Sequence, residues 1–145
     1  HILFMLMFRK NSTNIKINVI LVSYNTNIIY GDSLNNIIAA QIFLSKLKVL
    51  LDENKIVFDP RNQKTQNFLL REDMDIDDVF DYLKKLEPSN YYDGPKDDRN
   101  GTPGDVMMFL YPYKNTRIYI KLKIWTDKNG DSGVVISFHE EGEYD

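Results

Sequence analysis

Arg117-Ile118-Tyr119-Ile120-Lys121-Leu122-Lys123-Ile124-Trp125 is the stretch with the clearest two-residue alternation in the chain. Successive side chains of a strand point to opposite faces, so this pattern predicts a half-buried strand with Ile118, Ile120, Leu122 and Ile124 directed into a core. Arg117, Tyr119, Lys121, Lys123 and Trp125 share the other face. Cations interleaved with aromatic rings suit a phosphate backbone and a stacked base, and an ordinary solvated sheet surface has the same composition. The pattern alone therefore names no activity.

Two further strands flank it in sequence, Val106 to Tyr111 and Val134 to His139. The intervening segments Pro112-Tyr113-Lys114-Asn115 and Asp127-Lys128-Asn129-Gly130-Asp131 carry hairpin chemistry. In the last strand Val134, Ile136 and Phe138 are expected on one face, with Val135, Ser137 and His139 on the other. Keeping both apolar sets together requires paired residues whose numbers sum to an even value, because a one-residue slip turns every side chain over. With a turn near Asn129 or Gly130, His139 falls opposite Tyr119 or Lys121. Directly opposed side chains have Cβ atoms about 4.5–5.5 Å apart, which brings imidazole, phenol and ammonium together.

Upstream, Ile42, Phe43, Leu47, Leu50 and Leu51 recur at helical spacing and predict a helix from about Ala39 to Asn54. Lys55 to Phe58 is a short β-like piece stopped by Asp59-Pro60. Two short helices follow, Thr65 to Glu72 and Ile76 to Leu86. Asp75 is placed to cap the second, and the surrounding carboxylates suit the positive end of its dipole. Glu87-Pro88 ends that helix. Ser89 to Asp105, rich in Gly, Pro and Asp, reads as a long connection of the kind that is often functional. The expected fold is α+β, with N-terminal helices packed on a C-terminal three-stranded antiparallel sheet. Residues 39–141 form the domain, 142–145 a tail, and the Asn- and Ile-rich 1–38 an N-terminal extension. That extension is either the edge of a fragment or an added edge strand, with a plausible strand at Ile15 to Val22.

Composition narrows the chemistry. A chain of 145 residues that is 43% apolar has room for one domain with a sizeable core. Without cysteine and with only two histidines, it lacks the ligands of a structural zinc site and has no thiol nucleophile. The apolar run Ile2 to Phe8 is too short to span a bilayer, and its cations follow it where a signal peptide would place them before. A cytoplasmic protein that does not enter membranes is expected. The net charge of −3 is unlike that of a general nucleic-acid binder. Its distribution is uneven: residues 72–81 hold six carboxylates, while 114–123 hold four cations and no acid. A chain can be acidic overall and basic where it works.

RNA can be cut without metal or cofactor when its 2′-hydroxyl attacks the adjacent phosphorus. That step needs a base, an acid and cations on the phosphorane. His139 suits proton transfer, since an unperturbed imidazole titrates at about 6.5. Arg117, Lys121 and Lys123 suit the charge, and Tyr119 suits orientation of the hydroxyl or stacking of a base. Two other readings stay open. One is a non-catalytic module that binds RNA or protein with the same face; the other is a carboxylate metal site at Asp73, Asp75, Asp77 and Asp78, which lacks the glycine and final glutamate of a calcium loop.

Phe43-Leu44-x-x-Leu47-Lys48, Ile56-x-Phe58-x-Pro60-Arg61, Leu86-x4-Tyr91-Tyr92-x-Gly94-Pro95-x-x-Asp98-Arg99, Ile118-Tyr119-Ile120-Lys121-Leu122-Lys123 and Val135-Ile136-Ser137-Phe138-His139 occur in that order. Together they resemble the MqsR family of type II toxins, over about Gln41 to Glu141. The resemblance implies a RelE-like fold, metal-independent cleavage of mRNA, and neutralisation by an antitoxin of the MqsA type. By position, Tyr119 resembles the family's site tyrosine and Lys121 the lysine of its Tyr-x-Lys strand. His139 replaces a C-terminal site lysine. The catalytic set so implied is Tyr119, Lys121 and His139, with Arg117, Lys123, Tyr91, Tyr92 and Arg99 binding RNA. Asp93 and Met108 are departures, standing where the best-known branch has a lysine and a glutamine.

Overall fold

The computed structural model describes residues 4–8, 17–21 and 28–143. In chain order its elements are β1 (Phe4–Phe8), β2 (Ile17–Leu21), α1 (Ile28–Asp52), β3 (Ile56–Phe58), α2 (Gln63–Arg71), α3 (Ile76–Lys85), β4 (Tyr91–Asp97), β5 (Asp105–Tyr113), β6 (Thr116–Asp127) and β7 (Gly130–Glu140). A 3-10 turn, Pro88–Asn90, precedes β4. The alternating stretch lies in β6, the middle strand of a five-stranded sheet of order β3-β7-β6-β5-β4. Burial follows the alternation: Ile118, Ile120, Leu122 and Ile124 are all buried.

The fold is α+β, as expected, and its sheet is larger and mixed. The three antiparallel strands gain β3, parallel to β7, and β4, antiparallel to β5. β4 occupies part of what reads as a connection from Ser89 to Asp105. Its ladder to β5 shifts register between Tyr91 and Asp93 and again between Asp93 and Lys96, where Gly94-Pro95 interrupts the pattern that sequence reading relies on. Gly94 is required there, since its φ is +106° and a Cβ would lie 2.6 Å from the Val106 carbonyl oxygen.

The three helices cover the inner face of the sheet. Ala40, Phe43, Leu44, Leu47, Leu50 and Leu51 form the buried stripe of α1, the one helix among the described residues long and apolar enough to cross a membrane by length and composition. Here its stripe belongs to the same core as Phe109, Ile120 and Leu122. α1 begins at Ile28, so the boundary expected between residues 38 and 39 falls inside a helix. Asp75 caps α3 as expected, in a reciprocal box with Asp78. Of the strand expected at Ile15 to Val22, residues 17–21 form β2, paired with β1, and the remainder lies outside the described residues.

The last strand departs from simple alternation. Ile118 to Lys121 pair with Glu140 to Ser137, but Leu122 pairs with Val135, so Ile136 is an extra residue bulged out of β7. Toward the turn the faces therefore exchange: Val135 is buried in the core and Val134 is half-buried on the other face. The expected grouping of Val134 and Ile136 with Phe138 is thus corrected. Near the bulge, α2 satisfies backbone groups of β7. Asn62, its N-cap, donates from Nδ2 to the Ile136 carbonyl at 3.1 Å and to Ser137 Oγ at 3.0 Å, and the Phe138 N–H donates to Thr65 Oγ1 at 2.9 Å.

Candidate functional site

Beyond the bulge the pairing has the even sum, and it places His139 opposite Tyr119. Leu110 flanks Tyr119 on the other side. The Tyr119 and His139 rings are 5.3 Å apart at 32°, and Tyr92 meets Tyr119 edge-on at 6.4 Å. These side chains line a cleft of about 240 Å³ whose remaining wall is Glu141, Gly142 and Glu143. That volume lies below the usual range of about 300–1,000 Å³ for small-molecule pockets, and suits one flat ring better than a whole ligand.

His139 Nδ1 lies 3.0 Å from the Glu140 carbonyl oxygen. A carbonyl only accepts, so a hydrogen bond there requires the proton on Nδ1 and leaves the lone pair of a neutral ring on Nε2. The residue as a whole is 5% exposed, less open than a wet sheet surface predicts. Lys121 follows Tyr119 on the same face, between Met108 and Ser137, and no hydrogen bond or ion pair engages it among the described residues. Arg117 lies outside the cleft lining, held by the wall residue Glu141 through Nε at 2.7 Å and Nη2 at 2.6 Å. That hydrogen-bonded carboxylate raises the guanidinium pKa further.

Three of the expected RNA contacts are placed elsewhere. Lys123 is 7% exposed; its Nζ donates to Asp98 Oδ2 at 2.6 Å and to Thr102 Oγ1, so it fastens the loop after β4 rather than facing the cleft. The Lys123 ammonium, with lesser help from the Asn100 N–H and the Thr102 hydroxyl, holds the Asp98 carboxyl well below the usual carboxylate range. Arg99 is exposed on that same loop, outside the cleft lining. Tyr91 packs against the core, with its hydroxyl donating to the Gly94 carbonyl at 2.6 Å, while Tyr92 takes the opposite face of β4. The adjacent tyrosines are thereby split between core and cleft.

The two departures from the MqsR pattern meet in space. Asp93 pairs with Met108, which pairs with Lys121, so one row crosses the sheet from the carboxylate to the free ammonium. Asp93 is engaged by Lys96, which lowers its pKa. Among the described residues no three His, Asp or Glu side chains converge as a metal ion requires, and Asp75 and Asp78 are used in capping α3.

Sequence reading did not anticipate the tail as a wall of the cleft. Arg71 in α2 reaches Glu140 at 2.9 Å and Glu143 at 3.1 Å, and Lys64 Nζ donates to the Glu143 carbonyl at 2.9 Å. The one available signal was composition, since Glu140-Glu141-Gly142-Glu143 is the acidic complement of a basic strand face. No family model, curated protein or solved structure matches the chain.

Proposed function

We propose that the protein is a toxin of a type II toxin-antitoxin system, a cytoplasmic, metal-independent endoribonuclease of RelE-like fold that cuts mRNA, neutralised by an MqsA-type antitoxin. The observation that carries this reading is the juxtaposition of Tyr119 and His139 in a cleft, with Lys121 next along the same face. The resemblance to MqsR toxins supports it from sequence.

In this reading the 2′-hydroxyl gives its proton to Nε2 of His139 while its oxygen attacks the adjacent phosphorus. The bond from phosphorus to the 5′-oxygen breaks, the departing oxygen takes a proton from the imidazolium or from water, and a 2′,3′-cyclic phosphate remains. Tyr119 orients the hydroxyl, Lys121 stabilises charge on the equatorial oxygens, and Arg117 binds RNA outside the reacting phosphate. Tyr92 offers a face for a base. Lys123 has no part, because Asp98 takes its charge inside the protein.

The purified protein, incubated with RNA in excess chelator, is expected to leave cyclic phosphate ends, and His139→Ala to remove them. Failure of the parent protein to cut would refute the activity, and undiminished cutting by the variant would refute the role of His139. A second reading, a non-catalytic RNA- or protein-binding module, is favoured by the carboxylates Glu141 and Glu143 in the cleft wall. Expression separates the two. A toxin arrests growth and Tyr119→Phe or His139→Ala relieves the arrest, whereas a binding module is tolerated in every form.

A further inference from the structure

Three cations hold the carboxyl-terminal segment that walls the cleft. Arg117 is gripped by both oxygens of Glu141; Arg71 bridges Glu140 and Glu143; Lys64 holds the Glu143 carbonyl. Gly142 lies between the two gripped carboxylates at a φ of +90°, a conformation that L side chains rarely adopt, and no atom stands within 4 Å of the Cβ position it lacks. Beyond the Glu141 N–H, which donates to the Arg117 carbonyl at 2.9 Å, the backbone of the tail is held by one long bond, from the Glu143 N–H to the Glu140 carbonyl at 3.4 Å, and by Lys64. Its ion pairs are part-exposed, with side-chain exposures of 51% and 36% for Arg117 and Glu141, and 47% and 33% for Arg71 and Glu143. Pairs so exposed stay open to exchange with other anions. Arg71 is meanwhile steadied over the Phe68 ring at 5.4 Å, which keeps it beside Glu143, a wall residue of the cleft.

A guanidinium fork that donates to both oxygens of a carboxylate can donate to two phosphate oxygens in the same way. On the reading of this cleft as an RNA site, we propose that Glu141 and Glu143 occupy the subsites of the substrate's flanking phosphates. Arg117 and Arg71 are the residues that bind those phosphates, and RNA enters by displacing the tail. The tail is then a built-in competitor. It suppresses weak, unspecific binding by a chain whose net charge is already negative, and it marks Arg71, far from the alternating strand in sequence, as a substrate-binding residue.

The test uses the full chain and a short RNA made uncleavable by a 2′-deoxy substitution. Glu141→Gln/Glu143→Gln is expected to tighten binding at least fivefold, and the charge-conserving Glu141→Asp/Glu143→Asp to stay within twofold of the parent. Adding Arg71→Ala to the glutamine variant should remove most of the gain. Backbone amide resonances of Gly142 and Glu143 in the parent should shift during titration with the oligonucleotide. If the parent binds and cuts RNA while the glutamine variant gains nothing, or the Gly142 and Glu143 resonances stay fixed at saturation, the tail inference is overturned and the nuclease reading stands. If neither protein binds RNA, both fall together. Binding or cutting that emerges only in the glutamine variant supports both.

Discussion

Tyr119 and His139 stand directly opposite each other on adjacent antiparallel strands, their rings 5.3 Å apart, with the His139 Nδ1 turned to the Glu140 carbonyl. In the proposed reaction, proton transfer falls to the other ring nitrogen, Nε2. His139→Ala is expected to reduce cyclic-phosphate formation by about 10²–10⁴-fold, the usual contribution of a positioned acid-base group. Tyr119→Phe, which keeps the ring and removes the hydroxyl, should cost less. End-group analysis of cleaved RNA in chelator measures both.

Lys121 and Lys123 lie on the same strand face and are expected to behave oppositely. Lys121→Met should leave the melting temperature nearly unchanged and lower cleavage at least about tenfold, the loss of one stabilising charge at the phosphate. Lys123→Met leaves Asp98 and Thr102 without their buried partner and should lower the melting temperature more than it affects cleavage by the folded fraction. Equal effects on stability would contradict the assignment of Lys123 to the loop and Lys121 to the site.

Acid sensitivity is expected to come from the carboxylates that cations engage. Lys114, and after it the Tyr113 hydroxyl, hold Glu72 down to about 2 from an ordinary 4.5. Its stabilising contribution is complete above about pH 4.5 and fades as pH falls toward 2, because the unfolded chain takes up the proton first. Asp98, lowered by Lys123, acts in the same direction. Melting temperatures recorded from pH 6 downward should therefore fall, and Glu72→Gln should flatten part of that fall.

Packing and capping contribute on different scales. Ile120 is wholly buried at the centre of the sheet, so Ile120→Ala is expected to cost about 2–5 kcal/mol and Ile120→Val about 0.5–1.5 kcal/mol. Asp75→Ala removes the α3 cap and should cost about 1 kcal/mol. Denaturant titration of the three variants would establish the order.

What could be read in advance follows from how locally each feature is encoded. The inward isoleucines of β6, the Asp75 cap and the meeting of His139 with the Tyr119 strand depend on spacing within one or two segments, and they are as expected. The parity argument for β7 succeeds at His139 and fails at Val134 because the bulge at Ile136 adds one residue. Groups that help to accommodate it, Asn62 and Thr65, are more than seventy positions away. β4 escaped notice because Gly94-Pro95 reads as a turn, yet a bulged edge tolerates both residues. The burial of Lys123 depends on Asp98, which a one-strand pattern cannot reveal, and the tail's part in the cleft depends on Arg71 and Lys64 in α2.

The margins of the sheet bear on how the protein behaves at high concentration. An exposed strand edge is a template for a neighbouring chain's backbone and hence for aggregation. On one side β3 is only three residues long, and on the other β4 carries two register shifts, a proline and the charged pair Lys96 and Asp97. Neither margin offers a long, flat row of free amides and carbonyls. The same irregular strand that hid itself from sequence reading thus guards its margin of the five-stranded sheet against adding strands from other copies.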